Sequence, residues 1–113
     1  MRIGCVCEIP EDIYKVSFIG KDPDRDFLDK CWCSYGVNEY VTKGVSKGSC
    51  LRVVQKALGF DEKNTVAIGD GENDISMLKC ADISYAMMSA SPKVKANAVK
   101  IAENVLDILR GEM

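Results

Sequence analysis

The residues best suited to chemistry lie in one short stretch, Thr65 to Leu78 (TVAIGDGENDISML). Asp70, Asn73 and Asp74 place two carboxylates and an amide close together along the chain. Side-chain oxygens of this kind suit a hard cation such as Mg²⁺, which in turn holds a phosphate. The preceding residues Thr65-Val66-Ala67-Ile68 are apolar and rich in β-branched side chains, the mark of a buried strand. Gly69 and Gly71 flank Asp70 and permit a tight turn with close backbone approach to a ligand. Glu72-Asn73-Asp74 then opens an apolar-periodic segment, Ile75, Leu78 and Ala81, and acidic or amide side chains at such a start cap free N–H groups. The pattern predicts strand, turn and helix, with Asp70, Asn73 and Asp74 at the carboxyl end of the strand. Open α/β sheets bind ligands at that edge. A purely structural account stands beside this one, because Asp-Gly is a common turn and Asn or Asp before a helix is a common cap.

What the chain lacks narrows the chemistry further. It has 113 residues and no histidine. Ser-His-Asp and Cys-His catalysis are therefore excluded, as are histidine-containing metal sites. Carboxylates, lysine, hydroxyls and thiols remain. The six cysteines are Cys5, Cys7, Cys31, Cys33, Cys50 and Cys80. The two Cys-x-Cys pairs fit structural zinc spacing poorly, and reduced thiols are the simpler expectation, with Cys50 and Cys80 as small buried apolar residues. A net charge of −2 and a pI near 5.1 argue against nucleic acid as a partner. No apolar run approaches the length needed to span a membrane and no signal-peptide pattern opens the chain, so no membrane partner and a soluble, cytoplasmic protein are expected.

The elements that must position Asp70 and its neighbours follow from periodicity. Residues 2–8 and 13–19 read as strands; in the second, Tyr14, Val16 and Phe18 alternate with Lys15 and Ser17. Asp22-Pro23 has the form of a helix start, and Phe27, Leu28, Cys31 and Trp32 make a stripe at helical spacing. Residues 37–41 form a weak strand or extended link. Ser46 is a plausible N-cap for a helix whose buried face is Cys50, Leu51, Val53, Val54, Ala57 and Leu58, with Gly59 as its stop. Lys47 falls in the first turn, where a positive charge is not favoured. Further on, 82–87 reads as a strand, Ser91-Pro92 starts a short helix with Val94 and Ala98 inward, 99–101 is extended, and a last helix carries Val105, Leu106, Ile108 and Leu109 up to Gly111. Strands and helices alternating in this way predict a parallel α/β layer.

GDGENDISML resembles the fourth motif of the haloacid dehalogenase (HAD) superfamily, in the branch of Cof-type sugar-phosphate phosphatases with a large inserted cap. Gly44-Val45-Ser46-Lys47-Gly48 (GVSKG), upstream at a fitting distance, matches the third motif of the same family. The resemblance implies a partial HAD-like, Rossmann-like parallel sheet with helices over residues 45–113, the carboxyl-terminal part of the core, preceded by a cap-domain remnant over 1–44. It implies Asp70 as a direct Mg²⁺ ligand, Asn73 and Asp74 completing or supporting the metal shell, and Lys47 steadying phosphate charge. The family usually has Gly-Asn-Ala where this chain has Met88-Ser89-Ala90, so Ser89 takes the place of its phosphate-side asparagine. The implied substrate is a small phosphorylated metabolite.

The first and second motifs of that family, which supply the nucleophilic and acid/base aspartates and a phosphate-binding Ser or Thr, have no convincing match. Asp22-Pro23-Asp24 follows an apolar strand, but Pro23 and Asp26 depart from the nucleophile pattern and a charged helix start accounts for it. Three readings follow: a Mg²⁺-dependent phosphatase by descent that is inactive alone, a half-enzyme completed by another chain, or a non-catalytic interaction module. In the family's sheet the nucleophile strand lies beside the strand Thr65–Ile68. An unpaired central strand invites another chain, so a homo-oligomer or a complementary chain is expected.

Overall fold

The computed structural model describes residues 15–19, 28–34, 37–60 and 64–112. The strand expected at 2–8, the helix start at Asp22-Pro23 with the Asp22–Asp26 segment, and the thiols Cys5 and Cys7 lie outside the described residues. The chain divides into two compact units, Met1–Lys43 and Gly44–Met113.

The first unit holds an antiparallel sheet of β1 (Val16–Ile19), β2 (Leu28–Ser34) and β3 (Val37–Thr42), with β3 in the centre. Along β3, Asn38 and Tyr40 are buried and Val37 and Glu39 half-buried, the period-two alternation of a strand covered on one face. The helix expected through Phe27–Trp32 is corrected here, because residues 28–34 form β2. The physical reason is a bulge. Lys30 pairs with Tyr40 while Trp32 pairs with Glu39, so the register shifts between them. One extra residue in the strand interrupts the alternation and gives apolar residues the three- and four-residue spacing of a helix. Cys31 sits at that interruption, with its thiol donating to the Glu39 carbonyl at 3.4 Å.

The second unit is a parallel sheet in the order β4 (Val66–Gly69), β5 (Ile83–Met87), β6 (Lys100–Ala102). Between and around the strands lie α1 (Lys47–Leu58), a 3₁₀ turn (Glu72–Asp74) running into α2 (Ile75–Leu78), α3 (Pro92–Lys95) and α4 (Val105–Glu112). Ala67 and Ala86 are buried on neighbouring strands, where small side chains admit Leu78 of α2 and Val94 of α3, each almost fully enclosed. Burying either side chain contributes on the order of 1.5–3 kcal/mol. The segment after Asp70 is thus a 3₁₀ turn and one helical turn rather than a longer helix, and Ala81 lies beyond it. The last helix continues through Gly111 to Glu112.

α1 begins and ends as its sequence predicts. Ser46 Oγ accepts the Ser49 N–H at 3.0 Å, and Ser49 Oγ accepts the Ser46 N–H at 2.8 Å. At the other end Gly59 adopts φ +73°, while the N–H groups of Gly59 and Phe60 donate to the carbonyls of Lys56 and Gln55. Its inward face is a correction. Gly48 and Gln55 are buried and Leu51 is half-buried, whereas Cys50, Val53, Val54, Ala57 and Leu58 are exposed. The helix is oriented by polar contacts that a hydrophobic pattern does not register. Gln55 Nε2 donates to Thr65 Oγ1 at 2.9 Å and to the Cys80 carbonyl at 3.1 Å, which ties α1 to the start of β4 and to the turn before β5. Cys80 is buried, as expected.

The Gln55 amide is therefore a structural anchor. Gln55→Ala should lower the unfolding free energy by about 2 kcal/mol, since it leaves a buried carbonyl without its donor. Urea denaturation of the two chains measures this, and a loss below a few tenths of a kcal/mol would show that water replaces the amide freely.

Candidate active site at the carboxyl end of β4

β4 ends at Gly69, and the chain turns through Asp70 and Gly71 into the 3₁₀ turn that carries Asn73 and Asp74. The turn is closed by Asp74, whose carboxylate folds back on it. Asp74 Oδ2 accepts the N–H groups of both Asp70 and Gly71 at 3.0 Å. Asp74 Oδ1 accepts Lys47 Nζ at 2.5 Å. Gly69 makes this possible, because a Cβ there would stand 2.5 Å from Asp74 Cβ. The glycine after β4 therefore serves a close approach of side chain to backbone at negative φ. Asp70 itself is exposed on the turn that Asp74 holds.

Lys47 is the first residue of α1. The N-terminal end of a helix carries partial positive charge, so a lysine there costs a few tenths of a kcal/mol or more unless an anion offsets it. No acidic residue of α1's first turn does so. The offset comes across space from Asp74, which is only 4% exposed. Burial works to raise the Asp74 pKa. The hydrogen bond from Lys47, the two backbone N–H donors and the lysine charge together outweigh it, and the carboxyl is held below the usual carboxylate range.

The structure thus joins three of the residues singled out by sequence, Lys47, Asp70 and Asp74. Asn73 is half-buried in the 3₁₀ turn beside them. Ser89 lies exposed in the turn after β5, on the same carboxyl edge of the sheet, but among the described residues it makes no hydrogen bond to Lys47, Asp70 or Asp74. On the flank, Glu72 and Lys93 of α3 form an exposed pair at 3.3 Å. One contributor carried no signal in the sequence. Ser76 Oγ accepts the Gly48 N–H at 3.0 Å, directly after Lys47. A serine at that position reads as an ordinary polar residue of a short helix.

Comparison with known proteins identifies the family of the chain. The sequence profile of the haloacid dehalogenase-like hydrolases matches residues 12–107, and the chain belongs to that family. It is 44% identical over 71 residues to a phosphoglycolate phosphatase of Methanopyrus kandleri, a match that covers 63% of this chain and 29% of that protein. It is 34% identical over 99 residues to the pyridoxal phosphate phosphatase YbhA of Escherichia coli, covering 86% of this chain and 36% of the relative. Among solved structures, SMU.1108c from Streptococcus mutans UA159 superposes with a TM-score of 0.84 at 30% identity over 97% of this chain and 48% of its own. The chain spans under half the length of each of these proteins. Its fold is that of the HAD hydrolases, and the similarity to phosphatases supports the Cof-type branch.

The Asp74 carboxylate also sets a pH dependence. A carboxyl whose folded pKa is depressed contributes stability that is complete above its unfolded value of about 3.9 and is lost as pH falls through the folded value. The melting temperature of the wild type should therefore fall on acidification below about pH 4. Asp74→Asn should be less stable near neutrality and lose less on acidification, so the two curves converge at low pH. Parallel curves would mean that Asp74 makes no net contribution through its charge.

Proposed function

We propose that this chain forms part of a Mg²⁺-dependent phosphatase site for small phosphate monoesters such as sugar phosphates. The observation that carries the reading is the Lys47–Asp74 pair held against the turn that presents Asp70. A buried carboxylate engaged by three donors orders the turn, and the exposed carboxylate beside it is left to meet a ligand.

The donor set suits a hard cation. Asp74 has both oxygens occupied by protein donors, so its part is to support the shell. Asp70 would bind the metal directly, with Asn73 alongside. Among the described residues no group of three carboxylate or thiolate side chains converges on one point, which favours weak binding by the chain alone. When bound there, Mg²⁺ supplies positive charge against phosphate oxygens. Lys47 lies half-exposed at the same edge, and its ammonium would meet a phosphate oxygen while remaining paired with Asp74. Ser89 would contribute a hydroxyl to the ester from the turn after β5. Turnover requires a carboxylate nucleophile and a proton donor to the leaving oxygen, and these 113 residues hold no convincing match to the motif that supplies them. The proposal is therefore metal and phosphate binding without hydrolysis by the isolated chain.

Mg²⁺ titration followed by NMR shifts or calorimetry tests the assignment. Binding should be weak, should centre on the amides of residues 69–74, and should disappear in Asp70→Asn, while p-nitrophenyl phosphate is hydrolysed no faster than in buffer. An isotherm that Asp70→Asn leaves unchanged would place the metal elsewhere.

A second reading, association with another polypeptide, is favoured by the open edge of β4 and by exposed apolar residues on β4 and α1. Among the described residues β4 pairs only with β5, so its other edge presents backbone donors and acceptors. Val66 on that strand is 44% exposed, and Val53 and Leu58 of α1 are 69% and 62% exposed. We propose that two copies of this chain cover these surfaces reciprocally. Light scattering on dilute protein should give a mass above that of the monomer. A monomer that unfolds cooperatively would rule the association out.

A further inference from the structure

We propose that Ser76 is a positioning residue for Lys47, acting through the backbone of Gly48. The proposal rests on the reading of Lys47 as the phosphate-facing cation, and it adds the group that aims this cation.

The first N–H groups of a helix have no partner within the helix and must find one outside it. In α1 the Ser49 N–H is taken by Ser46 Oγ. The Gly48 N–H is taken across space by Ser76 Oγ at 3.0 Å. Gly48 is buried at this contact, and a Cβ added to it would stand 2.8 Å from Ser76 Cβ and closer still to the Ser76 backbone. The start of α1 is therefore pressed against the start of α2 with no side chain between them.

The same short segment grips α1 twice. Asp74 takes the Lys47 side chain, and Ser76, two residues on, takes the N–H that follows Lys47. Lys47 has four rotatable side-chain bonds and its side chain is 52% exposed. An ion pair of such a lysine gains little in water and loses rotamer freedom. Fixing the backbone on which the side chain stands reduces the number of conformers from which Nζ must be recruited, as in any preorganised site. The Ser76 hydroxyl thus sets where the Lys47 ammonium resides before any ligand arrives.

The alternative is that Ser76 merely adds to the stability of the interface between α1 and α2. Gln55 supplies a comparison, because it anchors the same helix by two hydrogen bonds at a distance from Lys47. The test uses the 113-residue chain without metal and reads the proton–nitrogen signal of the Lys47 ammonium by NMR, assigned through Lys47→Arg. In the wild type this signal should stand apart from those of solvated lysines and should join them in Asp74→Asn. Ser76→Ala should also return it to the solvated position, while Ser76→Thr, which keeps the hydroxyl, restores it. Gln55→Ala should lower the melting temperature and leave the signal in place. A wild-type position retained in Ser76→Ala would overturn the proposal. So would the same loss of signal in Gln55→Ala, or a Ser76→Ala chain that fails to fold, since Ser76 would then hold the fold rather than the lysine. Failure of the Mg²⁺ titration sinks the metal assignment and leaves this readout untouched.

Discussion

The carboxylate of Asp74 is the interaction on which the second unit's site depends. It ties together the turn after β4, through the N–H groups of Asp70 and Gly71, and the start of α1, through Lys47. A carboxylate taken out of water loses hydration worth several kcal/mol, and only several good donors offset that loss. Here three are supplied, two of them fixed backbone N–H groups that sacrifice no side-chain freedom. The depressed pKa is the visible balance of these opposing effects. Gly69 is bound to the same arrangement, because any larger residue would displace the Asp74 side chain from the turn.

Around this polar centre the apolar core is small. Ala67, Ala86 and Ala90 contribute little buried area each, so Leu78 and Val94 supply much of the enclosure. Short side chains on the strands let α2 and α3 lie close to the sheet. The cost of a small core is apolar surface left outside it, on α1, on β4 and on α4. That distribution accords with a chain that spans under half the length of the relatives it matches.

Local backbone chemistry was the most legible part of the sequence. Ser46 and Gly59 mark the ends of α1 because a hydroxyl acceptor and a left-handed residue are what helix ends need. Ser91-Pro92 opens α3 for the same reason. The strand and turn around Asp70 were legible from β-branched residues followed by paired glycines. Where reading failed, tertiary contacts had overridden periodicity. A bulge in β2 imitates helical spacing between Leu28 and Cys31. The inward face of α1 is set by Gln55, a polar residue that hydrophobic patterning assigns to solvent. Ser76 left no trace, because its function resides in a backbone N–H from a segment 28 residues earlier.

Asp70 and Asp74 show how two like residues come to differ when only their surroundings differ. Asp74 is enclosed and its carboxylate is engaged by three donors that favour the ionised form, so its charge orders the turn. Asp70 is exposed, and its backbone N–H is held by the Asp74 carboxylate. In the Mg²⁺ site proposed above, the two kinds of carboxylate would have different parts. The rigid one would remove conformational freedom that binding would otherwise have to freeze, and the open one would keep its oxygens available to a cation. Lys47 follows the same logic with opposite charge. Its ammonium is directed by a buried anion and its backbone by a serine, yet half of the side chain still faces water. In Asp70 and Lys47 the residue that could meet a ligand is exposed, and the buried Asp74 carboxylate constrains both.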